Sequence, residues 1–448
     1  MIPSYISNLI NIFKAAGYKA YVAGGAVRDI VMEKLPHDYD LAVSSLPSET
    51  VEILKAAGIN YFDNSAKHGT VSAVLEEGVC ELTTFRIDGE YEDNRHPSGV
   101  SFTRRIEDDV LRRDFTMNSL YMDADSKIID LTGGMADISA RVIRAVGDPI
   151  QRFNEDALRI LRAVRFRARL GFTIEEKTFA AMKECAPLLK NISGERVYAE
   201  LKQILSSPFG ADAVRENVDV LAVVLPELKA LEGFDQHSKW HYLDALEHTL
   251  AVLKKVNELA PDDEVLAFAA LLHDIGKPEV FVMDEEGKGH MKKHELKSVE
   301  IAARFLSELH VSSDFNADTL ELIRVHDSYP EPSRANVARM LTRYDDVFLD
   351  RLEKLQIADI LAHSNQAADR MENLNARRAI RDELLSAPFC RSISDLAVTG
   401  SDLLEAGVPK GPEVGNILKE LLRCVSEENF PNNRNNLLEK INKLREKC

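Results

Sequence analysis

The sequence predicts an α+β protein, with a mixed sheet and its helices in a head over residues 1–148 and helices alone beyond it. Three observations carry this. Short β-rich runs at 19–23, 71–75 and 81–85 all fall in the head. From residue 150 onward apolar residues recur at helical spacing and strand signals nearly vanish. Between the first β-rich run and the helix after it stands a glycine pair, Gly24-Gly25, at a strand-to-helix turn.

The elements follow in order. Ile6, Leu9, Ile10 and Phe13 keep helical spacing up to Gly17, a C-terminal stop. The run 19–23 reads as a strand, Gly24-Gly25 as the turn, and Ala26 onward as a helix. Backbone N–H groups and the helix dipole at such a turn can hold phosphate oxygens. In Asp38-Tyr39-Asp40-Leu41-Ala42-Val43 the two acids are two apart on the next expected strand, so their carboxylates point to one face. Two hard oxygen ligands beside a phosphate cradle suit Mg²⁺-dependent phosphoryl or nucleotidyl transfer.

Runs 71–75 and 81–85 read as a hairpin joined through Glu76-Glu77-Gly78, and Glu81 on it is a candidate third metal ligand. The polar stretch 88–100, with Gly89, Pro97 and Gly99, reads as a mobile loop. In Arg112-Arg113-Asp114-Phe115-Thr116-Met117-Asn118, Arg113 can reach a triphosphate and Asp114 can orient Arg113 or a sugar hydroxyl. The glycine turn of 130–137 reads as structural or a hinge.

On a helix over 154–165 and beyond, Ala157, Leu158, Leu161, Val164 and Ala168 share one apolar stripe. Asp156, Arg159 and Arg162 step by three around the other face, with Arg165 at its flank. A neighbouring Asp and Arg can read a base edge. Cytosine and adenine both offer an amino donor and a ring-nitrogen acceptor, whereas uracil and guanine offer the reverse, so such a pair suits C and A together. An ordinary i,i+3 ion pair is the plain alternative.

Composition narrows the class. Hydrophobic content of 45% and charged content of 29% fit a globular protein, and no apolar run approaches the roughly 18 residues of a membrane span. Met1-Ile2-Pro3-Ser4 lacks the basic region of a signal peptide. Five scattered cysteines without CxxC spacing argue for reduced thiols and a cytoplasmic location. A formal charge of −17 argues against broad nucleic-acid binding, so neither DNA nor membrane is an expected partner. Residues 141–169 nevertheless hold eight arginines against three acids, which suits one directed polyanion contact.

Taken in order, the glycine turn 24–29, Asp38-Tyr39-Asp40, the segment 112–118, the segment 130–137 and Glu155-Asp156-Ala157-Leu158-Arg159 resemble the successive motifs of class II tRNA nucleotidyltransferases. These CCA-adding enzymes share the polymerase-β nucleotidyltransferase superfamily with bacterial poly(A) polymerases. Lys67-His68-Gly69-Thr70-Val71, the segment 84–91 that opens the loop, and the tail segments 396–404 and 409–412 resemble further family motifs. The resemblance implies that Asp38 and Asp40 hold two Mg²⁺, while Gly25, Arg28 and Arg113 bind nucleotide phosphates. It implies that Asp156 and Arg159 act as a protein template for CTP and then ATP, with Arg162 and Arg165 lining the pocket. A tRNA 3′-hydroxyl would attack the α-phosphate and release pyrophosphate, and the loop 88–100 would move between C and A addition.

His248, His273-Asp274 and Asp359 resemble the HD phosphohydrolase signature, and His294 and His326 stand where two-metal members carry extra ligands. The set can chelate a divalent ion (Mn, Ni, Fe or Mg). The implied organisation is a nucleotidyltransferase head, 1–148; a helical neck for base and RNA binding, 149–225; an HD-like body, 226–385; and a tRNA-binding helical tail, 386–448. An A-adding enzyme or a poly(A) polymerase is the close alternative. A phosphohydrolase with the head as a binding module is the alternative of another class, and the oligomeric state stays open.

Overall fold

The structure is a computed structural model that describes residues 2–63, 69–88, 100–237, 243–363 and 368–445. Lys67, His68, the loop residues 89–99 and Cys448 lie outside the described residues. The chain packs as two units, Met1–Lys229 with Glu308–His310, and Ala230–Ser307 with Val311–Cys448.

The first unit opens with helix Ser4–Ala15, whose buried residues are the expected Ile6, Leu9, Ile10 and Phe13. Past its cap, Gly17 adopts φ 87°, a left-handed turn suited to glycine. The strands are β1 Ala20–Ala23, β2 Leu41–Val43, β3 Asn60–Phe62, β4 Thr70–Leu75, β5 Gly78–Thr84, β6 Arg86–Asp88, β7 Val100–Phe102, β8 Leu120–Met122 and β9 Ile128–Asp130. Seven form one mixed sheet in the order β3-β4-β5-β2-β1-β8-β9, in which β2 and β5 run parallel and the other neighbours antiparallel. The mixed α+β head is as expected. The hairpin turn is tighter than expected, because Gly78 already pairs with Leu75 and only Glu76 and Glu77 bridge the strands. β6 and β7 form a separate antiparallel ribbon that brings Asp88 opposite Val100.

Three expectations need correction, two of them around the glycine turn and β2. The helix after the glycine turn begins at Gly25, one residue early, because Gly24 (φ 74°) makes the turn alone and donates its N–H to the Leu120 carbonyl (3.1 Å). Asp38 and Asp40 precede β2 rather than lie on it. The ladder ends at Leu41, and beyond it the Asp40 carbonyl accepts one further bond, from the Ala23 N–H (3.0 Å).

The predicted continuous helix around Asp156 is two helices, Pro149–Glu155 and Leu158–Leu170. Asp156 has φ −141° and ψ 101°, an extended residue that breaks the run. Ala157, Leu158, Leu161, Val164 and Ala168 are all buried, so the apolar stripe stands as read. Helices Glu176–Cys185, Gly194–Leu205 and Gly210–Glu216 complete the covering layer.

The second unit is built from helices, of which Ala245–Leu259, Glu264–Leu272, His294–Glu308, Ser313–Val325, Arg334–Arg343, Asp346–Ala362 and Ala368–Leu385 are the longer ones before residue 390. Val265 to Leu272 are buried without exception, so that helix is central and apolar on every face. Closer to the C-terminus, Leu403, Leu421, Leu437 and Ile441 anchor a separate apolar cluster.

Candidate functional site

The first unit holds a cleft of about 640 Å³. Ligand pockets commonly span roughly 300–1,000 Å³, so a nucleotide fits. Nine of the ten residues expected in the head and neck site line it: Gly25, Arg28, Asp40, Glu81, Arg113, Asp156, Arg159, Arg162 and Arg165. Asp38, the tenth, does not line it, but its charge reaches Asp40.

Asp40 owes its position to the sheet register. Leu41 pairs with Leu82 in the parallel ladder, so continuing that register backward sets Asp40 opposite Glu81. Desolvation, then the charges of Asp38 and Glu81, push the Asp40 carboxyl up to about 6 against the opposing pull of Arg113. Crowded carboxylates of this kind are a hard-oxygen donor set that a divalent cation relieves, so the residues fit such an ion.

The arginines are held by partners. Arg113 donates to the Tyr121 hydroxyl (Nε, 2.9 Å), the Asn118 carbonyl (Nη1, 3.3 Å) and Asp109 (Nη2, 3.3 Å). Asp109 is fully buried; burial raises its carboxyl, but Arg112 and Arg113 outweigh that and hold it below the ordinary range. Arg28 donates to Asn118 Oδ1 (2.8 Å) and to Asp29 (2.7 Å). Asn118 in turn donates to Asp114 (3.3 Å), so its side-chain amide links Arg28 to Asp114 while its backbone carbonyl takes Arg113. Asp114 pairs with Arg162 (2.6 Å), so of its two expected roles the one on Arg113 falls instead to Asp109. The Asp130 turn is structural, as read: its carboxylate accepts the N–H groups of Thr132, Gly133, Gly134 and Met135.

The ion pair between Asp156 and Arg159, the plain alternative to base reading, does not form: Asp156 Oδ1 instead caps the following helix by accepting the Leu158 N–H (3.2 Å), and the Arg159 N–H meets only the Asp156 carbonyl (3.0 Å). Asp156 takes Arg196 instead, at 3.3 Å from both oxygens. Arg159 bonds Glu155 (2.8 Å) and the carbonyls of Arg152 (3.0 Å) and Arg112 (2.8 Å). Arg165 binds Glu200 (2.6 Å). Sequence reading therefore missed Asp109, Asn118, Tyr121, Glu155, Arg196 and Glu200. The i,i+4 spacings of Asp109 to Arg113 and Glu155 to Arg159 were the available signals.

In the second unit all six expected residues converge. His248 Nε2 lies 3.1 Å from Asp359 and 3.5 Å from Asp274; His273 Nε2 lies 3.2 Å from Asp274 Oδ2 and 3.8 Å from Asp359. On the other Asp274 oxygen stand His294 (3.2 Å) and His326 (3.7 Å). The Nδ1 atoms of His273, His294 and His326 donate to the carbonyls of Ala270, Met291 and Ile323. Each Nε2 therefore carries a lone pair toward the centre. His294 and His326 bring those lone pairs to 3.3 Å, a contact that only a proton or a cation makes favourable. His273 Nε2 and Asp274 Oδ1 are buried without a hydrogen-bond partner. Neutral imidazoles, carboxylates and orphaned buried acceptors fit a divalent transition ion. Lys277 (2.5 Å from Asp274), His363 and Arg370 complete a pocket of about 290 Å³.

A parallel-antiparallel sheet bearing acids at one strand end, with arginine-rich helices across the cleft, defines a nucleotidyltransferase head joined to a helical HD unit. Comparison with known proteins agrees. A "Poly A polymerase head domain" model matches residues 20–144, a "Probable RNA and SrmB- binding site of polymerase A" model 171–231, and an "HD domain" model 245–374. The CCA-adding enzyme of Streptococcus sanguinis is 35% identical over 94% of this chain and 92% of its own length. That of Geobacillus kaustophilus is 39% identical over 62% of this chain and 72% of its own. A crystal structure of the Bacillus stearothermophilus CCA-adding enzyme in complex with CTP covers 100% of both chains, with TM-score 0.72 and 28% identity. The Thermotoga maritima CCA-adding enzyme complexed with tRNA shares the fold, with TM-score 0.60 and 18% identity. The chain belongs to the CCA-adding enzyme family. A head and an HD unit of these kinds imply dependence on divalent metal.

Proposed function

We propose that this chain adds C, C and A to the 3′ end of tRNA from CTP and ATP, without a nucleic-acid template. The observation that carries it is the cleft in which Asp40 and Glu81 face Arg28, Arg113, Asp156 and Arg159. Asp38, Asp40 and Glu81 would hold two Mg²⁺, whose chemistry is activation of the attacking hydroxyl and neutralisation of charge on the transferring phosphate. Arg28 and Arg113, pre-set by Asn118, Asp109 and Tyr121, bind the triphosphate beside Gly25. Asp156 accepts the amino group of cytosine or adenine, and Arg159 donates to the ring nitrogen after leaving Glu155. Arg162 and Arg165 line the same pocket. Residues 1–148 then serve as the transferase head, 149–225 as the base- and RNA-reading neck, 226–385 as the HD body and 386–448 as the tRNA-binding tail. Four buried free thiols, Cys80, Cys185, Cys390 and Cys424, support a cytoplasmic setting.

The test is tRNA ending before C, before the second C and before A, incubated with each nucleotide singly. Stepwise C, C, then one A supports the reading. A alone indicates an A-adding enzyme, and a run of A beyond the first a poly(A) polymerase.

A second activity has its own observation, the facing lone pairs of His294 and His326 beside orphaned Asp274 Oδ1. We infer a divalent-metal phosphohydrolase centre acting on cyclic or phosphorylated RNA ends. If it were the principal activity, Asp274→Asn would abolish that activity while Asp38→Ala spared it.

A further inference from the structure

The helix Ala368–Leu385 lies outside the six expected ligands of the second unit, yet one of its faces is spent on a single short segment. Arg370, Asn373 and Arg377 are spaced i, i+3 and i+7, so they share that face. Arg370 Nη1 stands 3.1 Å from Asp327 and 3.6 Å from Asp359. Asn373 donates to the Pro330 carbonyl (3.1 Å). Arg377, 6% exposed, donates through Nη2 to Gln356 Oε1 (2.9 Å) and lies 5.8 Å from the Tyr329 ring centre. Gln356, 1% exposed, passes the constraint on: its Nε2 donates to the carbonyls of His326 (3.0 Å) and Ser328 (2.9 Å). Four side chains thus fix the turn that begins at His326, and Gln356 sits three residues before Asp359 on its own helix.

We propose that Gln356 and Arg377 are positioning residues of the metal centre, an outer brace that sets His326 against Asp274 for the ion on the His294 side. The idea rests on the metal-centre reading above. Physically, His326 has its imidazole fixed at Nδ1 by Ile323 and its backbone fixed by Gln356. Neither tie touches an ion, but together they remove the freedom by which the ring would turn away from Asp274. Such outer partners typically contribute about 10- to 100-fold to metal affinity. The chemistry also dictates which substitutions matter. Glutamate at 356 keeps an acceptor for Arg377 but loses the amide that donates to two carbonyls. Lysine at 377 retains one donor to Gln356.

The experiment uses the full chain carrying Asp38→Ala and Asp40→Ala, so that the head contributes no ions, stripped with chelator and titrated with Mn²⁺. Binding is read by calorimetry and electron paramagnetic resonance. Gln356→Glu and Arg377→Met should each weaken one class of bound Mn²⁺ by about 10- to 100-fold. Arg377→Lys should recover most of that loss, and the chelated proteins should unfold within a few degrees of the parent. Unchanged Mn²⁺ affinity in both Gln356→Glu and Arg377→Met overturns the brace. So does equal weakening of every bound ion together with a collapsed unfolding midpoint in Arg377→Lys. If the parent's Mn²⁺ binding is no tighter than that of the parent carrying His273→Ala, the metal-centre reading itself fails, which is a separate result.

Discussion

Asp40 sits where three carboxylates meet, and its raised carboxyl at about 6 has a definite sign for stability. The folded value lies above the unfolded one, so folding is favoured at low pH and loses that contribution as pH rises from about 4 to 6. Chelated Asp40→Asn should therefore unfold at a higher temperature than the parent at pH 7.5, with the difference shrinking through pH 5 and vanishing below about pH 4. A pH series of thermal melts checks it, and nucleotide addition should be lost in the same variant. Asn118 offers a second case, because its side-chain amide bonds both Arg28 and Asp114. Hydrogen bonds to charged groups contribute roughly 1.5–3 kcal/mol, so Asn118→Ala should lower kcat/KM for CTP by at least about tenfold. Steady-state kinetics at saturating tRNA would show it. At this scale the sequence named the acids and arginines by chemistry and spacing. It gave no role to Asn118, Tyr121 or Arg196, since an amide, a phenol and a distant arginine carry no local pattern until the fold brings them together.

Elements explain where spacing arguments hold and where they fail. The hairpin β4–β5 was legible from alternation and its polar turn, and the stripe under Leu158–Leu170 from its period. The break at Asp156 had a marker that went unread, because Asp is a favoured helix cap and its Oδ1 accepts the Leu158 N–H (3.2 Å). That break changes the chemistry: it separates Asp156 from Arg159 and hands it to Arg196. The turn 130–137 shows the opposite case, a glycine signal whose meaning is packing. A Cβ on Gly134 would stand 2.2 Å from the Thr116 carbonyl oxygen, next to the Thr116–Asp137 hydrogen bond (2.6 Å). Gly134→Ala should destabilise the head by about 1–3 kcal/mol, the range for overpacking. Urea unfolding followed by a probe in the first unit measures it.

For the molecule as a whole, the α+β head and helical remainder were legible because strand and helix periods separate cleanly along the chain. The two residue clusters were legible as well, the cleft set from paired acids beside a glycine turn and the His-Asp set from its resemblance to the HD signature. Their independence is the testable consequence. No helix among the described residues is long and apolar enough to cross a membrane. Asp274→Asn should abolish tight transition-metal binding in the second unit yet leave C and A addition within about threefold, the resolution of a single weak interaction. The most direct measurement is incorporation of CMP and AMP into tRNA lacking its terminal CCA, comparing the parent with Asp38→Ala/Asp40→Ala. Metal positioning is worth several kcal/mol, so incorporation should fall by at least about a thousandfold. Undiminished incorporation in the double variant would contradict the assignment of the head cleft as the transfer site.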